Sequence, residues 1–510
     1  MQVTATSSKR RKTGAIATYC YLVTQVLVNL LYVPLLLSTI GKAEYGLYQI
    51  IGSLIAYLGI INTTLSAGAT RFYSKYLVLN DEDNMANVLG ELRRVYRRVA
   101  VIVIVVTIAL MPVVRVAYGS SFTLRELNEA CWMLAILAAN VLVTMENTIS
   151  VAAITSHEHF VFLKGTMTAA LAVQLIIVVA SVHIWPSALT VCVAQLITNT
   201  LCCLVQRLFA IRKLGMDDRL RCHSEALAHD LVSFSGAIII ALVADQVFWK
   251  TDQLILGWMY GTEATAAYAV GMQVVSAYMA LGSAVSSVFL PRVSELWHLN
   301  HDIGAISDLF VRVSRLALYP LLAVLLGFAV FGLDFVRLWA GDGCEEAYWV
   351  AMMVMVPLTV DVSQNLGLTI LQVMNAYGFR AKMYLLAALL NVVGTFVLAS
   401  LYQGYGAAAS SAAAIVLSSG IVLNLYYRRE VGLDMKRWWS ESLREAVPLV
   451  VMSLIAGAMW YVFPWHGSWI ALFLGICVYA VAFTCVSWKF SANSDERNRL
   501  MSAARKVSRT

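Results

Sequence analysis

The stretch LVSFSGAIIIALVADQVFWKTDQLILG, residues 231–257, is apolar enough to cross a bilayer, yet it carries Asp245, Lys250 and Asp252. Asp245, Trp249 and Asp252 are spaced i, i+4, i+7 and share one helical face, while Gln246, Lys250 and Gln253 share a second. A charge at mid-bilayer costs about 2.5–3.5 kcal/mol on insertion scales, so such residues face a cavity or a partner. The spacing predicts Asp245 and Trp249 on a central cavity, with Lys250 or Asp252 near its outer mouth. The alternative is an interfacial Lys250–Asp252 ion pair that only positions the helix.

A second stretch, 346–374, leads through Asp361, Gln364, Asn365 and Gln372 to Asn375, a pattern that predicts a polar stripe along one helical face. At 1.5 Å per residue, Asp361 lies roughly 22 Å from the outer end of its stretch and Asp245 roughly 21 Å from the inner end of its own, so both sit near mid-depth. Two carboxylates at one depth, one per helix, can bind a cation or share a proton. The first half of the chain is polar without charge: Gln25, Asn29 and Tyr32 share one face, Asn140, Thr144 and Asn147 another, and Glu146 points elsewhere. Arg71 either contacts a phosphate or marks a cytoplasmic helix end. Polar and aromatic walls of this kind suit sugars and phosphates, because hydroxyls need hydrogen-bond partners and aromatic faces stack on sugar rings.

Positioning these residues requires membrane-spanning helices. Of the 510 residues 60% are hydrophobic and 13% charged, against about a quarter charged in a soluble domain. A spanning helix needs about 20 mostly apolar residues, and fourteen segments qualify. In chain order, α1 to α14, they are 14–40, 45–67, 99–118, 129–155, 166–184, 187–206, 231–257, 264–290, 314–333, 346–374, 383–402, 405–427, 446–463 and 469–488. With the N-terminus inside, 32 of the 37 Lys and Arg residues fall in inner segments, beginning with the basic run Lys9 to Lys12. Outer loops hold Lys42, Arg115, Arg125 and Arg337, and Lys250 lies within α7. That asymmetry sets both termini in the cytoplasm and checks the helix count, because one missed helix would scramble it. The net charge of +7 therefore reports topology, not a nucleic-acid partner.

The first apolar stretch is too long for a cleaved signal and reads as a retained helix. The nine Cys lie mostly in apolar segments without CxxC spacing, so they read as packed thiols. No phosphate loop, GxSxG or HExxH occurs, His157 and His159 alone make a weak metal pair, and the short loops leave no room for a soluble catalytic domain. The chain reads as a transporter and not an enzyme, without a metal or other cofactor.

An internal repeat divides the fourteen helices. Glu129 and Trp132 recur as Glu346 and Trp349, and Arg212, Gly215 and Asp217 as Arg429, Gly432 and Asp434, both at an offset of 217. Ala180 and Ser181 recur as Ala399 and Ser400, and Gly41 and Tyr48 as Gly261 and Tyr268, at 219 and 220. Six helices per repeat is an even number, so both halves enter from the same side and form a parallel repeat. The expected architecture is all-α: a lobe over 1–222 (α1–α6), a second over 223–440 (α7–α12), and α13, α14 and a cytoplasmic tail over 441–510.

GKAEYGLY at 41–48 followed by GATRFY at 68–73 resembles the first-hairpin signature of the polysaccharide and O-antigen flippases of the multidrug/oligosaccharidyl-lipid/polysaccharide (MOP) exporter superfamily. DQLILG at 252–257 with Gly261 and Tyr268 resembles that family's α7–α8 pattern, and YGAA at 405–408 with Arg428, Arg429 and Gly432 its α12 pattern. The likeness covers roughly residues 10–440. It implies two MATE-like pseudo-symmetric six-helix lobes that alternate between inward and outward openings. It also implies export of an undecaprenyl-diphosphate-linked oligosaccharide across the bacterial inner membrane, for surface polysaccharide such as the O-antigen of lipopolysaccharide. Implied partners are that lipid-linked oligosaccharide, the bilayer and other glycan-assembly membrane proteins. In related drug exporters acidic residues on α7 and α10 bind the coupling cation, so Asp245 and Asp361 are the expected sites for Na+ or H+. The expected cavity wall comprises Gln25, Asn29, Arg71, Asn140, Asn147, Trp249, Lys250, Asp252, Gln364 and Asn365. The chain departs from the family pattern in having Gln253 where many members carry a basic residue, and in lacking a mid-membrane Arg cluster. Alternative readings are a cation-coupled drug antiporter, a peptidoglycan-precursor flippase, and a membrane glycan polymerase.

Overall fold

The computed structural model describes residues 2–222, 225–286, 289–300, 302–374, 376–462 and 467–491. Asn375 lies outside them, and so do the side chains of Lys9 to Lys12. Among the described residues every long element is a helix. α1 spans Gln2–Thr39, α2 Gly41–Val78, α3 Glu82–Ala117, α4 Leu124–Ser156, α5 Phe160–Ile184 and α6 Ala188–Leu214. α9 is Ile303–Ala340, α13 Met435–Val462 and α14 Trp469–Val486.

Twelve described helices are long and apolar enough to cross a membrane, which makes this a multi-pass membrane protein. Two of the twelve are too long for one crossing. Ile239–Gly282 and Gly378–Val431, at 44 and 54 residues, would measure about 66 and 81 Å against a hydrocarbon core of about 30 Å. Each reverses direction once. The first breaks at Gly261, with φ 82° and ψ −167°, and Asp252 meets Tyr268 across the turn at 2.8 Å. The second breaks at Tyr402 and Gln403, and Ser410 returns to the Asn391 carbonyl at 2.9 Å. The breaks separate α7 from α8 and α11 from α12, so the fourteen expected spans are present in twelve continuous helical runs.

The paired sequence motifs mark paired backbone events. Gly41, at the α1–α2 turn, and Gly261, at the α7–α8 turn, have φ of 83° and 82°, a region open to Gly and costly for other residues. Gly215, after α6, and Gly432, after α12, both close their helices in the left-handed conformation. Polar caps fix other starts: Thr123 and Glu126 form a reciprocal capping box on α4, and Asp302 accepts from the Ala305 N–H on α9.

The chain divides into two compact units, residues 1–269 and 270–510. In the first, α2 packs on α4, α4 on α6 and α1 on α5. α3 leaves Val101, Ile102, Val105 and Ile108 exposed, a contiguous apolar face suited to lipid and not to water. In the second, α9 packs against α10, α13 and α14, with Leu318, Leu322 and Phe331 meeting Leu449, Leu472, Tyr479 and Phe483. The almost fully buried Arg315 ties this group together at one end, reaching Glu441 at 3.2 Å, Glu445 at 3.7 Å and the Ser491 carbonyl at 3.2 Å.

One expectation about local shape fails. α10 is not continuous over 346–374: it runs Glu346–Ser363, breaks at Gln364, and resumes as Asn365–Val373. The Gln364 N–H is shared between the Val360 and Asp361 carbonyls, and the Gly367 N–H folds back to the Gln364 carbonyl. The predicted single polar stripe therefore ends at the break.

Candidate functional site

In the first unit the polar residues of α7 divide into a packed set and a half-buried set. Asp252 and Gln253 are buried. Asp252 accepts from Tyr268, and Gln253 accepts from Ser53 of α2 at 2.5 Å. One turn further along α2, Tyr57 bonds Thr251 at 2.6 Å and the Gln246 carbonyl at 3.3 Å. Asp252 is thus engaged in closing the α7–α8 hairpin.

Asp245, Gln246, Trp249 and Lys250 are half-buried. Lys250 lies within electrostatic reach of Asp245. The Trp249 indole N–H and the Gln246 side-chain oxygen are buried and bond no described residue. Buried polar groups are normally satisfied, and in a membrane the shortfall has no water to make it up. α7 thus brings one cation, one anion, a donor and an acceptor together over residues 245–250.

A ladder of amides joins α4 to α6. Asn199 donates to Asn140 at 2.9 Å and Asn147 to Gln206 at 2.7 Å. The two rungs share a separation of 59 residues, so the helices run parallel. Gln206 also donates to Thr166 of α5 at 2.9 Å. Asn140 is buried, and Asn147 keeps a side-chain oxygen without a described partner. On α1, Gln25 is half-buried and Asn29 exposed; Arg71, near the far end of α2, is exposed.

The sequence reading missed the strongest polar cluster in this unit. Arg93 of α3, Glu146 of α4, Arg207 of α6 and Asp218, just beyond α6, form a closed ionic quartet with contacts of 2.8, 2.9, 3.1 and 3.3 Å. Two acids neutralise two guanidiniums and clamp three helices. The signal available in sequence was Glu146, an acid off the polar face of α4.

A row of close contacts lies at the Gly41 end of the same unit. Tyr118 donates to the Leu254 carbonyl at 3.1 Å, Ser121 to the Trp258 carbonyl at 2.5 Å, and Thr262 to Glu126 at 2.8 Å. Gly46 of α2 sits so close to the α7–α8 turn that a Cβ there would lie 1.8 Å from the Thr262 carbonyl oxygen. α2, the α3–α4 turn and the α7–α8 turn thus form one hydrogen-bonded seal.

In the second unit Asp361 is half-buried, one turn before the break in α10. Gln364 is buried and exchanges bonds with Asn424 of α12 at 3.1 and 3.3 Å, while Asn365, past the break, is half-buried. The rung Gln364–Asn424 is the counterpart of Asn147–Gln206: both join the fourth and sixth helices of a repeat, and Gln364 follows Asn147 by 217. The buried Tyr427 hydroxyl abuts Gly367 and feels the charges of Arg380 and Asp361. Both Tyr427 and Arg380 escaped the sequence reading, since Arg380 counted only as a basic inner-loop residue.

The model of the polysaccharide biosynthesis protein family matches residues 11–297, more than half of the chain. The chain belongs to that family. Solved structures of transport proteins share its fold. The lipid II flippase MurJ, in an inward closed conformation, superposes with a TM-score of 0.69 at 12% identity, over 94% of this chain and 99% of that one. An inward-facing multidrug resistance MATE family transporter of the MOP superfamily gives 0.65 at 12% identity, over 81% and 96%. Its outward-facing counterpart gives 0.54 at 11%, over 84% and 96%. No curated protein sequence matches the chain. The polysaccharide-family resemblance drawn from the hairpin signatures is thus borne out, and the chain has a fold like that of a flippase and of MATE transporters.

Proposed function

We propose that this polysaccharide biosynthesis protein flips an undecaprenyl-diphosphate-linked oligosaccharide across the bacterial inner membrane by ion-coupled alternating access, both termini being cytoplasmic. The product would serve surface polysaccharide assembly, such as the O-antigen of lipopolysaccharide, together with other glycan-assembly membrane proteins. The observation that carries the reading is the family match over residues 11–297, on a chain whose α7 holds charge and unsatisfied hydrogen-bonding groups within the membrane.

Lys250 is the cation for the diphosphate, and Trp249, Gln246, Asn147 and Gln25 serve sugar hydroxyls. In the empty protein Lys250 offsets the charge of Asp245. A diphosphate that draws Lys250 away leaves Asp245 without its counter-charge, which raises its affinity for H+ or Na+. Anion and cation binding at these two side chains are thereby linked. Asp361 in the second lobe is a further ion site. Release outward requires the seal around Gly46 and Thr262 to part.

A deletion strain tests this. Loss of surface glycan, with lipid-linked oligosaccharide accumulating on the cytoplasmic face, is expected; normal surface glycan would refute it. One observation favours a second reading: the likeness to the lipid II flippase covers 94% of the chain, against 81% for the inward-facing MATE transporter. If the substrate is a peptidoglycan precursor, the deletion will stop cell-wall synthesis and leave other glycans made.

A further inference from the structure

We propose that the groove between α9 and α13 holds one phospholipid of the outer leaflet whose headgroup carries both an ammonium and a phosphate. The groove has a volume of about 490 Å³, within the ~300–1,000 Å³ of small-molecule sites. Leu326, Val330 and Leu333 line it from α9, and Val450, Leu454 and Gly457 from α13. On each helix the lining residues recur at i, i+3, i+4, i+7 and on to i+11, from 326 to 337 and from 450 to 461. Two facing stripes of that length run roughly 17 Å, close to the ~15 Å of one leaflet's half of the hydrocarbon core.

The walls and the ends differ in chemistry. Ser453, the polar group inside the groove, bonds Tyr479 at 2.8 Å and the Leu449 carbonyl at 2.7 Å, so what remains for an occupant there is apolar contact. Charge appears at one end only. Asp334 and Arg337 line the mouth, on the side that the Lys/Arg asymmetry assigns to the outside. Asp334 accepts from the Trp460 indole at 2.7 Å, and Arg337 donates from Nε to Glu345 at 2.7 Å. Two carboxylates and one guanidinium leave the mouth net negative. It therefore disfavours an anionic headgroup and complements one with an ammonium for Asp334 and a phosphate for Arg337. Tyr461 and Leu454, both exposed, flank the site at the surface where acyl chains lie. Gly457 keeps the floor open: a Cβ there would meet only Val330, at 3.7 Å.

The test uses the full chain, purified in mild detergent from phosphatidylethanolamine-containing membranes and examined by native mass spectrometry. One retained phosphatidylethanolamine per chain is expected, displaced by added phosphatidylethanolamine about tenfold more readily than by phosphatidylglycerol. Asp334→Asn keeps an oxygen for Trp460 and loses the charge, and is expected to abolish that preference. Gly457→Leu fills the groove and is expected to release the lipid, while Gly457→Ala, which fits, retains it and controls for misfolding. Equal displacement by both lipids would overturn the proposal. So would a retained prenyl diphosphate, or a lipid-free dimer cross-linked through Gly457→Cys.

Discussion

Gly46→Ala probes the seal directly. The added Cβ would stand 1.8 Å from the Thr262 carbonyl oxygen and 2.7 Å from its carbon, where real contacts do not fall below 3.0 Å. The obstacle is backbone, so no side-chain rotation relieves it. α2 and the α7–α8 turn must part by about 1.2 Å, the difference between 1.8 and 3.0 Å. Overpacking of this kind costs about 1–3 kcal/mol, which corresponds to roughly fivefold to hundredfold in the population of the sealed state. Three bonds share the seal, from Tyr118, Ser121 and Thr262, and they loosen together. Hydrogen exchange of the backbone amides in 257–265 is the assay, with exchange accelerated by that factor. Gly52→Ala is the control on the same helix, since a Cβ at Gly52 meets nothing within 4 Å. Unchanged exchange in Gly46→Ala, or equal acceleration in Gly52→Ala, would refute the reasoning.

Lys250→Ala is expected to lower glycan export at least about tenfold, the worth of one charge-assisted hydrogen bond, with protein abundance little changed; a parallel fall in abundance would make Lys250 structural. Asp361→Asn is expected to abolish export while membrane insertion, read by fractionation, stays normal. Glu146→Gln leaves Arg93 and Arg207 with Asp218 alone; because Arg93 and Glu146 are 23% and 39% exposed, the thermal-stability loss should correspond to only about 1 kcal/mol.

What the sequence made legible is what local physics dictates. Runs of apolar residues set fourteen spans, and the Lys/Arg asymmetry alternates with them. The recurrence of Gly41 as Gly261, read from sequence only as part of a repeat, falls on two turns with matching positive φ. The break at Gln364 was not legible: Pro357 lies seven residues earlier inside an intact helix, and no Gly or Pro stands at 363–365. Tertiary pairing of Gln364 with Asn424 accompanies that break, and no periodicity encodes a partner sixty residues away. The quartet of Arg93, Glu146, Arg207 and Asp218 was hidden for the same reason, since its members come from α3, α4, α6 and the loop after α6. Asp252 looked like a cavity acid by spacing, but Tyr268, brought back by the Gly261 turn, engages it. An acid's helical face is readable from sequence; the hydroxyl that meets it is set by the hairpin.

The central claim is that the protein moves a lipid-linked oligosaccharide through the bilayer. Its most direct test is reconstitution into proteoliposomes carrying a fluorescent undecaprenyl-diphosphate oligosaccharide, with the fraction exposed on each face read by a membrane-impermeant quencher. The account predicts protein-dependent translocation that quickens under an imposed Na+ or H+ gradient and is lost in Asp361→Asn. Translocation no faster than in protein-free liposomes, with or without a gradient, would contradict it.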